Sequence, residues 1–182
     1  MQMTPLDIER VPLWGSTLIE ASAGTGKTYT LAALYVRLLL ESELTVDQIL
    51  VVTYTRAATA ELRVRVRRRI AQTLEALEQA AGQASDDPIL EAVVRQAERE
   101  GKAAQHRAAL KRALSGFDEA AIFTIHGFCQ RVLKRHAFES GVSFDAELTE
   151  DQPMLLEEIA CDYWTKRLVG AILDFVATLE DH

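Results

Sequence analysis

No segment of the 182 residues runs apolar for the roughly 18 positions that a membrane span requires, so none is expected. The N-terminus has no basic stretch leading into an apolar one, and no secretion signal is expected. Cysteine is scarce. Cys129 and Cys161 are the only two and lack C-x-x-C spacing, which fits a cytoplasmic chain kept in a reducing cytosol. There is no internal repeat and no low-complexity tract. An excess of positive charge is missing too: 20 Lys+Arg against 27 Asp+Glu leave −7, which speaks against wholesale electrostatic binding of nucleic acid. The deficit is uneven. Residues 1–138 hold 18 basic and 16 acidic residues, whereas residues 139–182 hold 2 and 11. Any nucleic-acid track therefore belongs to the first part, because the acidic end repels a phosphate backbone.

What is present organises itself around Leu18-Ile-Glu-Ala-Ser-Ala-Gly-Thr-Gly-Lys-Thr28. An apolar approach enters a small-residue loop, Gly26-Lys27-Thr28 follows, and an apolar-periodic segment comes next. Strand, loop, helix is the order that a phosphate-binding loop needs. Small residues let consecutive N–H groups turn towards phosphate oxygens, and the helix N-terminus adds partial positive charge. Lys27 is expected to reach the β- and γ-phosphates and Thr28 to ligate Mg²⁺, the two catalytic contributions of the motif. The first glycine of the usual pattern is Ala21 here, and Gly24 adds a flexible point. Ala21, Ser22, Ala23, Gly24, Thr25, Gly26, Lys27 and Thr28 are thus the expected nucleoside-triphosphate site.

Residues 1–16, with Pro5, Pro12 and Gly15, read as an irregular lead-in. Strands are expected at about 17–21, 48–53 and 120–124, each apolar along its length and so covered on both faces of a parallel sheet. A helix is expected from Thr28 to Glu41, with Leu31, Leu34, Tyr35, Leu38 and Leu39 at helical spacing. A long helix from Arg56 carries the stripe Leu62, Val66, Ile70, Leu74 and Leu77. One further helix is expected over 89–114, another from His126 to Ala137, an extended loop over 141–151, and a last helix from Pro153 to about Leu179, with an interruption at Gly170. The fold class is α/β: a P-loop parallel sheet with flanking helices over 1–138, and an appended α-helical segment over 139–182.

Two more stretches carry chemistry. In Val51-Val-Thr-Tyr-Thr-Arg56, hydroxyls and an aromatic sit at the carboxyl end of a strand, where open α/β sheets bind ligands. Thr53 and Thr55 have hydroxyls for phosphate oxygens and Tyr54 a ring for a base. The same residues also read as an ordinary strand-to-helix turn with Thr55 as N-cap. In Phe123-Thr-Ile-His-Gly-Phe128, Thr124 and His126 share a face if the segment is extended. His126, Cys129 and His136 follow no trustworthy zinc pattern; Cys129 is expected to be buried and His136 at the surface. Five arginines within Arg63–Arg69 spread around a helix, and a solvated or internally paired face is expected for them rather than a phosphate track.

These three stretches, in this order, resemble the superfamily 1 DNA helicases of the UvrD/Rep type, and the phrases IEASAGTGKT, ATAELR and FTIHGFCQR resemble the RecB branch. The resemblance covers about residues 12–150. It implies that Gly24 to Thr28 hold the phosphates of ATP with Mg²⁺, and that Tyr54, Thr55, Arg56, Thr124 and His126 line a single-stranded DNA track. It implies single- and double-stranded DNA and RecC- and RecD-like subunits as partners of the whole protein. The family also needs an acidic pair after an apolar strand, an arginine finger, a second motor domain and, in this branch, a nuclease domain, and no candidate for these is seen. The chain therefore looks like a piece of motor domain 1A that ends inside the helical 1B insertion, with weak Mg·ATP binding, little turnover and self-association expected. A P-loop small-molecule kinase, with 63–69 as a basic lid, and a non-catalytic nucleotide- or DNA-binding module are the alternatives.

Overall fold

The computed structural model describes residues 5–22, 24, 26–79, 87–140 and 153–169. Two compact units divide the chain, Met1–Arg131 and Val132–His182. The first contains helices α1 (Lys27–Glu41), α2 (Arg56–Glu78), α3 (Pro88–Arg99) and α4 (Ala103–Ser115), and strands β1 (Val51–Thr53) and β2 (Ile122–Thr124). The division falls within α5 (Ile125–Arg135). The second unit continues with α6 (Ala137–Ser140) and α7 (Pro153–Trp164), followed by a single π turn over Thr165–Val169.

β1 and β2 pair in parallel, Val51 beside Ile122, Val52 beside Phe123 and Thr53 beside Thr124. The crossover between them carries α2, α3 and α4, as a parallel pair requires. The described sheet has these two strands only. Residues 17–21, expected as a strand, run without ladder bonds, and Leu18 is 72% exposed. Nor is the sheet covered on both faces. Val51 and Ile122 turn inward, whereas Leu50 and Val52 on the opposite face are nearly half exposed. Apolar strands mark a capacity for burial, and the described helices cover one side.

The core forms where α1, α2 and α4 meet. The stripe on α2 appears as expected, with Leu62, Val66, Ile70 and Leu77 buried and Leu74 packed against them. Each such side chain contributes about 1.5–3 kcal/mol by leaving water. On α1 the buried face is rotated from the expected one: Ala32, Val36 and Leu40 point inward with Tyr35 and Leu39, and Leu31 faces out. Alanines at 32 and 33 let neighbouring helices approach closely, which larger side chains would prevent. The Tyr35 hydroxyl donates to the Val46 carbonyl at 3.3 Å, and burial pushes its pKa up to about 12.

The helix expected over 89–114 is two helices. Gly101 sits at φ 66° just past α3, and the Lys102 N–H bonds to the Ala97 carbonyl at 2.9 Å, a Schellman closure that stops α3. The lead-in is tied to α1 by buried Arg37. Its guanidinium donates to the carbonyls of Ile8 (2.7 Å) and Val11 (2.9 Å) and pairs bidentately with Glu41. α7 starts at Pro153 as expected; the expected loop at 141–151 and the helix beyond 169 lie outside the described residues.

Candidate nucleotide and DNA site

The loop before α1 is shaped by two glycines. Gly24 and Gly26 lie at φ 80° and 84°, in the left-handed region. A Cβ added at either would meet nothing within 4 Å, so backbone conformation rather than space calls for glycine. Gly26 caps α1, and the first intrahelical bond runs from the Thr30 N–H to its carbonyl at 2.9 Å. The N–H groups of Lys27, Thr28 and Tyr29 consequently have no acceptor within the helix. No acidic residue occupies the first turn, so α1 itself carries no charge that offsets the positive end of its dipole. The Lys27 ammonium reaches back across the loop and donates to the carbonyls of Ala21, at 3.0 Å, and Ser22. Thr28 is half-buried beside it; Ala23 and Thr25 lie outside the described residues. An ammonium, a run of helix-start N–H groups and a hydroxyl form a donor set that fits a polyphosphate carrying Mg²⁺.

The register of the sheet brings the other two stretches to one edge, because Thr53 lies beside Thr124 at the carboxyl ends of β1 and β2. Thr55 is the N-cap of α2, its hydroxyl oxygen accepting from the Ala58 N–H at 3.1 Å. The hydroxyls of Thr53 and Thr59 lie 3.1 and 2.9 Å from the Thr55 carbonyl and 2.5 Å from each other, one donating to the other and the second to the carbonyl, which locks the turn. Tyr54 is thereby held out, 80% exposed, with Arg56 exposed beyond it. On the second strand Thr124 accepts from the Gly127 N–H at 3.0 Å. α5 begins at Ile125, so His126 is an exposed helical residue, not one sharing an extended face with Thr124. Sequence reasoning passed over Gly127. A Cβ there would approach the Thr124 hydroxyl to 3.1 Å and crowd the cap, a constraint that Thr-x-x-Gly spacing at a strand end signals.

Cys129, expected to be buried, is exposed, and His136 is exposed beside Glu139, 3.0 Å from Nδ1 to the carboxylate. Among the described residues no group of three His, Cys, Asp or Glu side chains is placed to hold a metal ion. The arginines of α2 are largely engaged. Arg63 donates to the carbonyls of Phe117 and Asp118, Arg65 pairs with Glu61, and Arg63 and Arg67 both lie over the Phe117 ring. Held inside a continuous helix, they cannot form a mobile kinase lid. Arg69 is buried and pairs with Asp87, which also accepts the Tyr29 hydroxyl at 2.8 Å. No sequence pattern pointed to that trio.

A family model, the UvrD/REP helicase N-terminal domain, matches residues 8–175. The chain belongs to this family. The chain is 46% identical to RecBCD enzyme subunit RecB of Escherichia coli (strain K12) over 169 residues, which is 88% of this chain and 14% of that protein. It is 43% identical to the subunit of the same name in Haemophilus influenzae over 183 residues, covering 94% of this chain and 15% of the relative. For Mycobacterium tuberculosis (strain CDC 1551 / Oshkosh) the identity is 42%, over 81% of this chain and 13% of the relative. The chain thus spans about a seventh of the length of the curated relatives it matches. Among the described residues no helix is long and apolar enough to cross a membrane.

Proposed function

We propose that this chain is the ATP-binding N-terminal region of a RecB-like, ATP-dependent DNA helicase and exonuclease subunit acting in double-strand break repair and recombination. Residues 1–138 are read as part of motor domain 1A and residues 139–182 as the start of the helical 1B insertion. Lys27 neutralises the β- and γ-phosphates and Thr28 ligates Mg²⁺, within a loop of Ala21, Ser22, Ala23, Gly24, Thr25 and Gly26. Bound ATP supplies the phosphoryl transfer that drives the motor. Tyr54, Thr55, Arg56, Thr124 and His126 line the DNA track, and the whole protein works on single- and double-stranded DNA with RecC- and RecD-like subunits.

One observation carries this reading: the Lys27 ammonium lies across a loop whose two glycines are left-handed, directly before a helix start with no side-chain cap. An ATP-consuming step also needs an acidic side chain to prepare the attacking water. In this sequence neither strand is followed by an Asp-Glu pair. The isolated chain is therefore expected to bind Mg·ATP weakly and to turn it over negligibly. Calorimetry of the chain against Lys27→Ala tests the assignment. Loss of binding in the variant supports it; equal affinity puts the nucleotide elsewhere. A DNA-stimulated rate near or above about 1 s⁻¹, ordinary for a complete enzyme, would refute the claim of negligible turnover.

A further inference from the structure

Tyr29 directly follows Thr28 in the first turn of α1. Its ring lies beneath the Arg69 guanidinium, 4.6 Å from carbon to centroid, and its hydroxyl donates to Asp87 at 2.8 Å. Arg69 donates to both carboxylate oxygens of Asp87. Asp87 in turn caps α3, accepting from the N–H groups of Ile89 (3.0 Å) and Leu90 (3.3 Å). Three helices therefore meet on one carboxylate. Arg69 is only 5% exposed, so its charge depends on that partner. Burial, and then the bond to Asp87, raises the Tyr29 pKa. Burial also opposes the charged form of Asp87, but the Arg69 and Tyr29 bonds outweigh it and hold the carboxyl below its ordinary range.

The position of this cluster matters more than its strength. Its first residue adjoins the loop assigned to ATP. Its second sits on α2, an unbroken helix that starts at the Thr55 cap, beside Tyr54 and Arg56 of the DNA track. Arg69 lies about 21 Å along the helix from that cap, at 1.5 Å per residue. A polyphosphate that draws the Lys27–Thr28 turn towards itself shifts Tyr29, and Tyr29 cannot shift without disturbing the Arg69–Asp87 pair. Arg69 is buried and grips both oxygens of the partly exposed Asp87, so this contact is the one through which such a movement would reach α2.

We propose that Tyr29, Arg69 and Asp87 form a positioning cluster through which nucleotide at the Gly24–Thr28 loop and single-stranded DNA at the Thr55 end of α2 alter each other's affinity. The proposal rests on the ATP and DNA assignments above and adds the route between them. None of the three side chains needs to touch either ligand.

The test titrates the intact chain with a fluorescent ATP analogue in Mg²⁺, with and without saturating oligo-dT, and repeats it for Tyr29→Phe and Arg69→Lys. In the unaltered chain the DNA should change nucleotide affinity about fivefold or more, and nucleotide should change DNA affinity by the same factor. Tyr29→Phe keeps the ring and loses the hydroxyl. It should bring both ratios to within about twofold of unity while each ligand alone binds within about threefold of the original. Arg69→Lys keeps the charge but not the two-pronged grip and should act the same way, and a melting curve shows whether it folds. Should it fail to fold, Tyr29→Phe decides alone. Full coupling in Tyr29→Phe, or no coupling in the unaltered chain when both ligands bind, overturns this proposal and leaves the assignments standing. No binding of nucleotide or of DNA by the unaltered chain overturns the assignment concerned and the proposal with it.

Discussion

Replacing Gly26 by alanine isolates what the left-handed loop contributes. The added methyl group meets no atom within 4 Å, so sterics against the rest of the protein are negligible. What remains is the residue's own backbone at φ 84°, where an L side chain costs about 1–2 kcal/mol. The loop is exposed and has few packing partners, so it should relax out of that conformation instead of bearing the strain. The energy then appears in ligand affinity, because the loop must be returned to its left-handed form to bind. A penalty of about 1–2 kcal/mol weakens Mg·ATP binding about 5- to 30-fold. Gly26→Asn should lose less, since asparagine visits this region more readily. Gly101→Ala supplies the control, for it has φ 66° and equally open surroundings but lies between α3 and α4. It should lower the melting temperature by about 2–4 °C per kcal/mol and leave nucleotide affinity unchanged. Calorimetry and thermal melting on all four proteins settle the matter. If Gly26→Ala binds Mg·ATP as tightly as the unaltered chain, the left-handed turn is not the binding conformation and the argument fails.

Three other outcomes are expected. Tyr54→Ala should cost about 1–3 kcal/mol in single-strand affinity while Tyr54→Phe is nearly neutral, as fluorescence anisotropy with oligo-dT would show; equal losses would exclude stacking. His106 is buried, with no hydrogen-bond partner for Nδ1 among the described residues. Burial, with Lys102 next, lowers its pKa against the opposing pull of Glu100, Glu41 and Glu43. Below the ordinary value of 6.5 the unfolded chain takes up a proton that the folded chain resists, so stability should fall from about pH 7 towards pH 5. The slope should flatten in His106→Gln, and an unchanged slope in denaturant titrations would assign the effect to other groups. Finally, Leu50 and Val52 leave an open apolar sheet face, which should make the isolated chain self-associate with rising concentration. Sedimentation should find Val52→Lys more monomeric, and identical behaviour of the two proteins would clear that face of responsibility.

Short-range features were legible in the residues because their causes are local. Gly-Lys-Thr before an apolar repeat marks a helix start, the i, i+4 spacing of Leu62, Val66 and Ile70 marks a buried stripe, and Thr55 announces a cap. The Gly101 stop was equally local and equally readable, since glycine after Arg99-Glu100 is a C-terminal signal that helical composition on both sides obscured. Leu18–Glu20 is different. Its apolar pattern permits a strand, but a strand also needs a neighbour to accept its backbone bonds, and no local pattern specifies one. The Tyr29–Arg69–Asp87 cluster was invisible for a similar reason. Its members lie far apart in sequence and meet only because α1, α2 and α3 pack together.

The hydroxyls at the strand ends show where pattern stops and geometry decides. Sequence offered the hydroxyls of Thr53 and Thr55 to phosphate oxygens, and the family resemblance added Thr124 to the DNA track. In the fold, the Thr53 proton is taken up within the turn, by the Thr55 carbonyl or the Thr59 hydroxyl. Thr55 and Thr124 instead engage their oxygens as acceptors, from the N–H groups of Ala58 and Gly127, and each keeps a proton to donate. Each cap also fixes its oxygen at a helix N-terminus, where the dipole favours an anion. Thr55→Val and Thr124→Val should therefore weaken single-strand affinity, whereas Thr53→Val should act mainly on stability by loosening the turn that holds Tyr54 out. Equal losses of DNA affinity at all three positions, with melting temperatures unchanged, would mean that proton commitment in these turns does not govern the contact.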